Sequence, residues 1–289
     1  MIADPRPRRF ELEGRAIAAL EWGQPDQPLI LALHGWLDNA ASFSLLAPRL
    51  QNYRVIALDM AGHGYSDWRS QDSGYPIWSY VEDLFRVQKQ LGIDQCALLG
   101  HSLGAGITSL FAACWPERVS CLGLIENLGP LADEEANFAL ALRSTIEEHL
   151  TPIKPMRARP FEAWVRSRSN TVFAVPENAA RLLMARNTRL GEDDMAEYRC
   201  DPRLRLPSLI RLTERQVRAA LDQIIAPVLL ISGEAGIKRP LTQERVRHVK
   251  IIEQVELPGG HHLHMEEPGV EAVAEALNRF YAQYLGSCG

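Results

Sequence analysis

The stretch Gly100-His101-Ser102-Leu103-Gly104 constrains this chain more than any other, because of what flanks it. Ala97-Leu98-Leu99-Gly100 is apolar without alternation, the pattern of a strand buried on both faces. Residues 103–115 then read as an apolar helix stopped by Pro116. A serine at such a junction, with glycine two residues before and two after, fits a G-x-S-x-G nucleophile elbow, whose turn strains the serine backbone and crowds its neighbours. Gly106 continues the small-residue theme where the helix packs on the sheet. The plainer reading, a serine N-cap on an ordinary helix, explains less of this context. A phosphate loop is excluded, since GHSLGAG has no Lys-Ser or Lys-Thr pair.

The same strand-then-helix rhythm runs through much of the chain. Residues 28–33, 54–58, 119–125 and 227–231 are further buried strands, with a last one at 251–257. Helical patterns occupy about 78–91 and 268–284. Right-handed crossovers between such strands build a mostly parallel sheet with helices on both faces, so the fold class is α/β. Residues 9–13 and 15–22 alternate better and are expected as an antiparallel hairpin at the sheet edge. The rhythm breaks from 127 to 222, where helical patterns (134–150, 177–187 and 209–221) are interrupted by Pro152, Pro155, Pro160, Pro176, Pro202 and Pro207. We expect residues 1–126 and 223–289 to form the core domain, and 127–222 an inserted helical cap over the sheet's C-terminal edge.

Composition narrows the function classes. With 289 residues, 46% of them apolar, the chain can bury a sizeable core, and the net charge of −5 comes without long runs of one sign. Nothing favours nucleic acid or an anionic membrane as partner. Arg6, Arg8 and Arg9 read as a solvated terminus. The odd set Cys96, Cys114, Cys121, Cys200 and Cys288, with no CxxC pair, argues for a reducing compartment. Cys96, Cys114 and Cys121 lie in apolar segments and are expected as buried small hydrophobes. No secretory signal or membrane span is visible, and a cytoplasmic location is expected.

A tetrahedral intermediate at Ser102 needs two N–H donors. One is the N–H of Leu103, at a helix N-terminus; the other is that of Trp36, which His34-Gly35-Trp36-Leu37 aims from the loop after strand 28–33. The base must arrive on a loop after the last strand, and there His261, His262 and His264 compete. At least two of the three are expected to be structural. A metal site would need supporting Asp or His ligands that the sequence does not suggest, so no metal or other cofactor is expected.

Together these features resemble the α/β-hydrolase superfamily across nearly the whole chain. They are the His34-Gly35-Trp36 loop, Asp59-Met60-Ala61-Gly62-His63-Gly64-Tyr65-Ser66, the elbow at Ser102 and the late histidine. Within the superfamily, His34-Gly35-Trp36-Leu37-Asp38-Asn39-Ala40 looks most like the serine hydrolase-like proteins. The resemblance implies the pattern Gly-His-x-x-His-x-Glu-x-Pro near the end, which selects His261 over His262 as base. It also implies that the segment holding Asp59 and His63 is a shaped loop without chemistry.

Where most relatives carry the third member, an Asp in a Gly-x-x-Asp pattern, this chain reads Gly233-Glu234-Ala235-Gly236. A carboxylate is still needed to orient the histidine. Glu126 follows an apolar strand at the carboxyl edge where open α/β sheets place their sites. Its placement is similar to that of the acid in the haloalkane dehalogenase branch, whose chemistry is excluded here because that branch uses an Asp nucleophile. Glu234 and Asp222 are the alternatives. The expected function is hydrolysis of a small carboxylic ester through an acyl-enzyme on Ser102, His261 and Glu126. The rivals are thioester, lactone or carbon–carbon bond hydrolysis on the same residues, and a non-catalytic receptor. Phe138, Phe161, Trp164 and Phe173 of the cap are candidates to line an apolar pocket.

Overall fold

A computed structural model describes residues 4–154, 156–191, 194–237 and 241–285. Pro155 and Cys288 lie outside them. The first half alternates as its apolar runs demand: β1 (Arg6–Leu12), β2 (Arg15–Trp22), β3 (Leu29–Leu33), β4 (Arg54–Leu58), α1 (Ile77–Gln90), β5 (Cys96–His101), α2 (Leu103–Cys114) and β6 (Val119–Ile125). Among the described residues the segment after β6 carries four α-helices, α3 (Phe138–His149), α4 (Phe161–Ser169), α5 (Glu177–Asn187) and α6 (Glu214–Leu221). Between them lie the short strands β7 (Ala132–Asp133), β8 (Arg159–Pro160), β9 (Thr188–Leu190), β10 (Met195–Tyr198) and β11 (Leu212–Thr213). The chain returns to the sheet through β12 (Val228–Gly233), α7 (Thr242–Val246), β13 (Ile252–Leu257) and α8 (Gly269–Leu285).

Among the described residues, eight strands form one sheet in the order β1-β2-β4-β3-β5-β6-β12-β13. Pairing is parallel from β4 to β13 and antiparallel at β1–β2 and β2–β4. Alternate residues of the central strands feed two apolar layers. Leu31, Ile56, Leu98 and Leu122 pack with Leu84 of α1 and Phe111 of α2. Ile30, Val55, Leu99 and Cys121 pack with Val273, Leu277 and Tyr281 of α8. Burying both faces explains the runs without alternation, and each fully buried Leu or Ile contributes about 2 kcal/mol. A third cluster, Trp164, Val165, Ala180, Leu183 and Met184, holds α4 to α5 and includes Met265 beside the histidine loop.

Two features of the chain depart from expectation. The edge strand begins at Arg6 rather than Arg9; its arginines are exposed as expected, but Arg6 and Arg8 also pair across the hairpin with Glu21, and Arg9 pairs along its own strand with Glu11. Pro7 obscured this start, yet an edge strand tolerates it. Cys96 and Cys121 are buried as expected, whereas Cys114 is exposed at the end of α2. Among the described residues no helix is long and apolar enough to cross a membrane.

Candidate active site

Ser102 stands between β5 and α2 at φ 50° and ψ −109°, a costly backbone for a residue with a Cβ. Close approach explains its glycines: a Cβ at Gly104 would lie 2.0 Å from the Leu33 carbonyl oxygen, and one at Gly100 2.5 Å from Ala105 Cα. The Ser102 N–H donates to the Ile125 carbonyl at 3.0 Å, and Asn127 Nδ2 donates to the Ser102 carbonyl at 3.0 Å. The turn is held from both sides.

The loop after β13 brings His261 to this serine. His261 Nε2 lies 3.1 Å from Ser102 Oγ, and His261 Nδ1 lies 2.9 Å from Glu126 Oε2. An ionised carboxylate can only accept, so Nδ1 carries the proton of that bond, and in the neutral ring Nε2 is left to accept from the serine hydroxyl. Glu126 follows β6 directly, with φ 66°, and is 4% exposed. Its Oε1 accepts from the Gly233 N–H at 2.6 Å and its Oε2 from the Ile237 N–H at 2.8 Å. Burial pushes its pKa up, but the hydrogen bonds from His261, Gly233 and Ile237 outweigh this and hold it below the usual value. Gly236, where the resemblance led to an Asp, makes room: a Cβ there would lie 2.1 Å from Glu126 Oε1.

The other sequence candidates have other partners. Glu234 is exposed, and Asp222 pairs with His248 Nδ1 at 3.0 Å. His264 is buried with Nε2 2.9 Å from Ser42 Oγ, and burial drives its pKa well down. His262 Nε2 lies 3.0 Å from Asp38 Oδ2. His101 is fully buried, so it stays neutral, and its Nε2 donates to the His261 carbonyl at 2.9 Å. Asp59 and His63 serve the loops: Asp59 accepts from the Ala40 N–H at 2.7 Å and the Tyr65 N–H at 2.8 Å, and His63 Nε2 accepts from the Leu37 N–H at 3.3 Å.

The loop bearing Trp36 closes through the Asp38 N–H to the Gly35 carbonyl at 3.2 Å, with Leu37 at φ 61°. It abuts the start of α2, where the Gly104 N–H donates to the His34 carbonyl at 3.1 Å. Leu103 is the first residue of that helix, so its N–H has no intrahelical acceptor. Of the four aromatics named from sequence, Phe173 reaches the site, its ring centroid 4.8 Å from that of His261. Trp164 is spent in the α4–α5 cluster, with Phe161 packed against it, and Phe138 is half exposed. A cavity of about 450 Å³ lined by Tyr65, Trp68, Tyr198 and Arg199 includes none of Ser102, His261 and Glu126.

Sequence reasoning missed Asp38 and Arg168. Asp38 is 1% exposed, and it assembles an Asp/His constellation where none was expected: ligand-type atoms of Asp38, His101 and His262 lie within 4.8 Å of one another. These residues could hold a metal ion, and a cation of the chain itself already touches two of them, Asp38 and His262. Arg168 Nη2 is 2.9 Å from Asp38 Oδ1 and 2.9 Å from His262 Nε2. Burial pushes the Asp38 pKa up, and the neighbouring His262 and the Arg168 guanidinium bring it well below the carboxylate range.

The doubly connected sheet, the strained serine at its carboxyl edge and the adjoining histidine and carboxylate define an α/β hydrolase. Comparison with known proteins agrees. A family model for the alpha/beta hydrolase fold matches residues 28–148. A serine hydrolase-like protein of Dictyostelium discoideum is 35% identical over 274 residues, covering 88% of this chain and 75% of that one. Human serine hydrolase-like protein 2 is 30% identical over 285 residues, covering 91% and 90%. The crystal structure of a hypothetical protein from Pseudomonas aeruginosa is 36% identical at a TM-score of 0.89, covering 97% of this chain and 100% of that one. The chain belongs to the α/β-hydrolase superfamily and is most like its serine hydrolase-like proteins.

Proposed function

We propose that the protein hydrolyses a carboxylic ester through an acyl-enzyme on Ser102, with His261 as base and Glu126 as the acid that orients it. One observation carries this reading: an unbroken hydrogen-bond chain, 3.1 Å from Ser102 Oγ to His261 Nε2 and 2.9 Å from His261 Nδ1 to Glu126 Oε2. Ser102 Oγ attacks the ester carbonyl as its proton passes to Nε2, and the carbonyl π electrons move to oxygen. The N–H groups of Trp36 and Leu103 receive that oxyanion. Collapse breaks the bond to the alcohol, which leaves with the proton from His261. Water, deprotonated by the same nitrogen, then releases the acid and frees Ser102. Glu126 fixes the reactive tautomer and stabilises the imidazolium.

We read residues 127–222 as a cap that brings Phe173 over His261. The absent Asp of the Gly-x-x-Asp pattern does not argue for a non-catalytic receptor, because the Glu126 carboxylate fills the space at Gly236. The test combines a fluorophosphonate probe with short p-nitrophenyl esters. Wild type should be labelled and hydrolyse the esters, and Ser102→Ala should do neither. A folded wild type that neither labels nor turns over would overturn the proposal.

A further inference from the structure

Arg168, in the last turn of α4, has a side chain only 14% exposed and spends its guanidinium on three segments around His261. Nη2 donates to Asp38 Oδ1 at 2.9 Å, on the loop that carries Trp36, and lies 2.9 Å from Nε2 of His262, the neighbour of His261. Nη1 donates to the Phe173 carbonyl at 2.6 Å, and the Phe173 ring lies against His261 while remaining 44% exposed. The same segment is already clipped to the core elsewhere, by Arg186 Nη2 on Asp59 Oδ2 at 2.8 Å. A second buried ion pair is therefore not required to attach it. What Arg168 adds is aim: it fixes an apolar ring, half open to solvent, beside the His261 imidazole.

We propose that Arg168 is a positioning residue that holds Phe173 as the wall receiving the apolar acyl group of the substrate, an inference that rests on the Ser102 reading. The planar fork matters, because it serves Asp38 and the Phe173 carbonyl at once, while a lysine would offer one compact charge. The ring then favours longer acyl chains over acetyl by the few methylene contacts it supplies.

The experiment compares kcat/KM for p-nitrophenyl hexanoate and p-nitrophenyl acetate in wild type, F173A, R168M, R168K and the double variant R168M/F173A. F173A should lower the hexanoate-to-acetate ratio about tenfold, the scale of discrimination by a few apolar contacts. R168M should lower it similarly through a higher KM for hexanoate, and R168K should recover part of the loss. The double variant should be no worse in this ratio than F173A within about twofold, because both changes remove one interaction. An unchanged ratio in F173A or R168M, or multiplying effects in the double variant, overturns the inference. Should R168M fail to fold, R168K and R168K/F173A form the same cycle with the same deciding outcomes. Fluorophosphonate labelling keeps the two readings apart: no labelling of wild type sinks the Ser102 reading, whereas normal labelling with an unchanged ratio sinks the role of Arg168 alone.

Discussion

Two buried carboxylates stand at the carboxyl edge of the same sheet, Asp59 after β4 and Glu126 after β6. Each accepts two backbone N–H bonds, Asp59 from Ala40 and Tyr65, Glu126 from Gly233 and Ile237. They differ in the third partner. Asp59 faces Arg186, a permanent cation with no proton to exchange, at 2.9 Å from Arg186 Nε to both carboxylate oxygens. Glu126 faces His261, which can gain and lose a proton and touches Ser102 with its other nitrogen. On the function proposed above, position at the edge and burial do not make a carboxylate chemical. Its partner does.

Removing charge from each should separate the two roles. Glu126→Gln should lower kcat/KM by about 10³–10⁴-fold, since the amide can no longer hold the reactive tautomer, with little change in Tm. Asp59→Asn should do the reverse. It strands Arg186, whose side chain is 10% exposed, and should cost about 3–5 kcal/mol of stability. The molecules that remain folded should keep their activity within a few fold, as measured by urea unfolding beside initial rates. Activity loss in Asp59→Asn matching that of Glu126→Gln would erase the distinction.

Acid should act on the buried histidines before it reaches the carboxylates, on His34 and His63 near Asp59 and in the same direction on His101 and His264 beside His261. Burial pushes the pKa of His34 down from 6.5 to about 4, and burial with the nearby His34 pushes that of His63 to about 3. Both folded values lie below the unfolded one, so below pH 6.5 the unfolded chain binds protons that the native chain refuses. Stability should fall as the pH drops from 6.5 toward these values, by about 3 kcal/mol per histidine at pH 4. Glu126 acts lower: its depressed pKa stabilises the fold above the ordinary carboxylate value and is lost as pH falls through the folded one. A flat unfolding midpoint between pH 6.5 and 4.5 would contradict the neutral burial of these four histidines.

The smallest effect is a relocation. A Cβ at Gly236 collides with the Glu126 carboxylate at 2.1 Å, so the two positions compete for one space. In Glu126→Ala that space is vacated, and adding Gly236→Asp should recover about tenfold of the lost activity by a shorter carboxylate from the other side. No recovery in a folded double variant would show that the space alone does not define the site.

Much of this architecture is legible in the sequence for one physical reason. Strands buried on both faces cannot hide their apolar runs, so β3, β4, β5, β6 and β12 stand out, and the charge of Glu126 immediately after one such run marks its edge. The serine turn is legible because its glycines answer to backbone contact. Helix α4 was missed because Pro160 precedes it and its charged residues interrupt the apolar pattern of Trp164 and Val165. Asp38 and Arg168 lie 130 positions apart, and either side chain alone looks solvated. Only the folded chain brings them together beneath Phe173.

The most direct measurement is the proton shared by His261 Nδ1 and Glu126, observed as an exchange-protected downfield resonance in ¹H NMR. It should be present in wild type, persist in Asp59→Asn, Glu234→Gln and Asp222→Asn, and vanish in Glu126→Gln. A resonance that survives Glu126→Gln, or disappears with Glu234→Gln or Asp222→Asn, would contradict the assignment of Glu126 as the partner of the base.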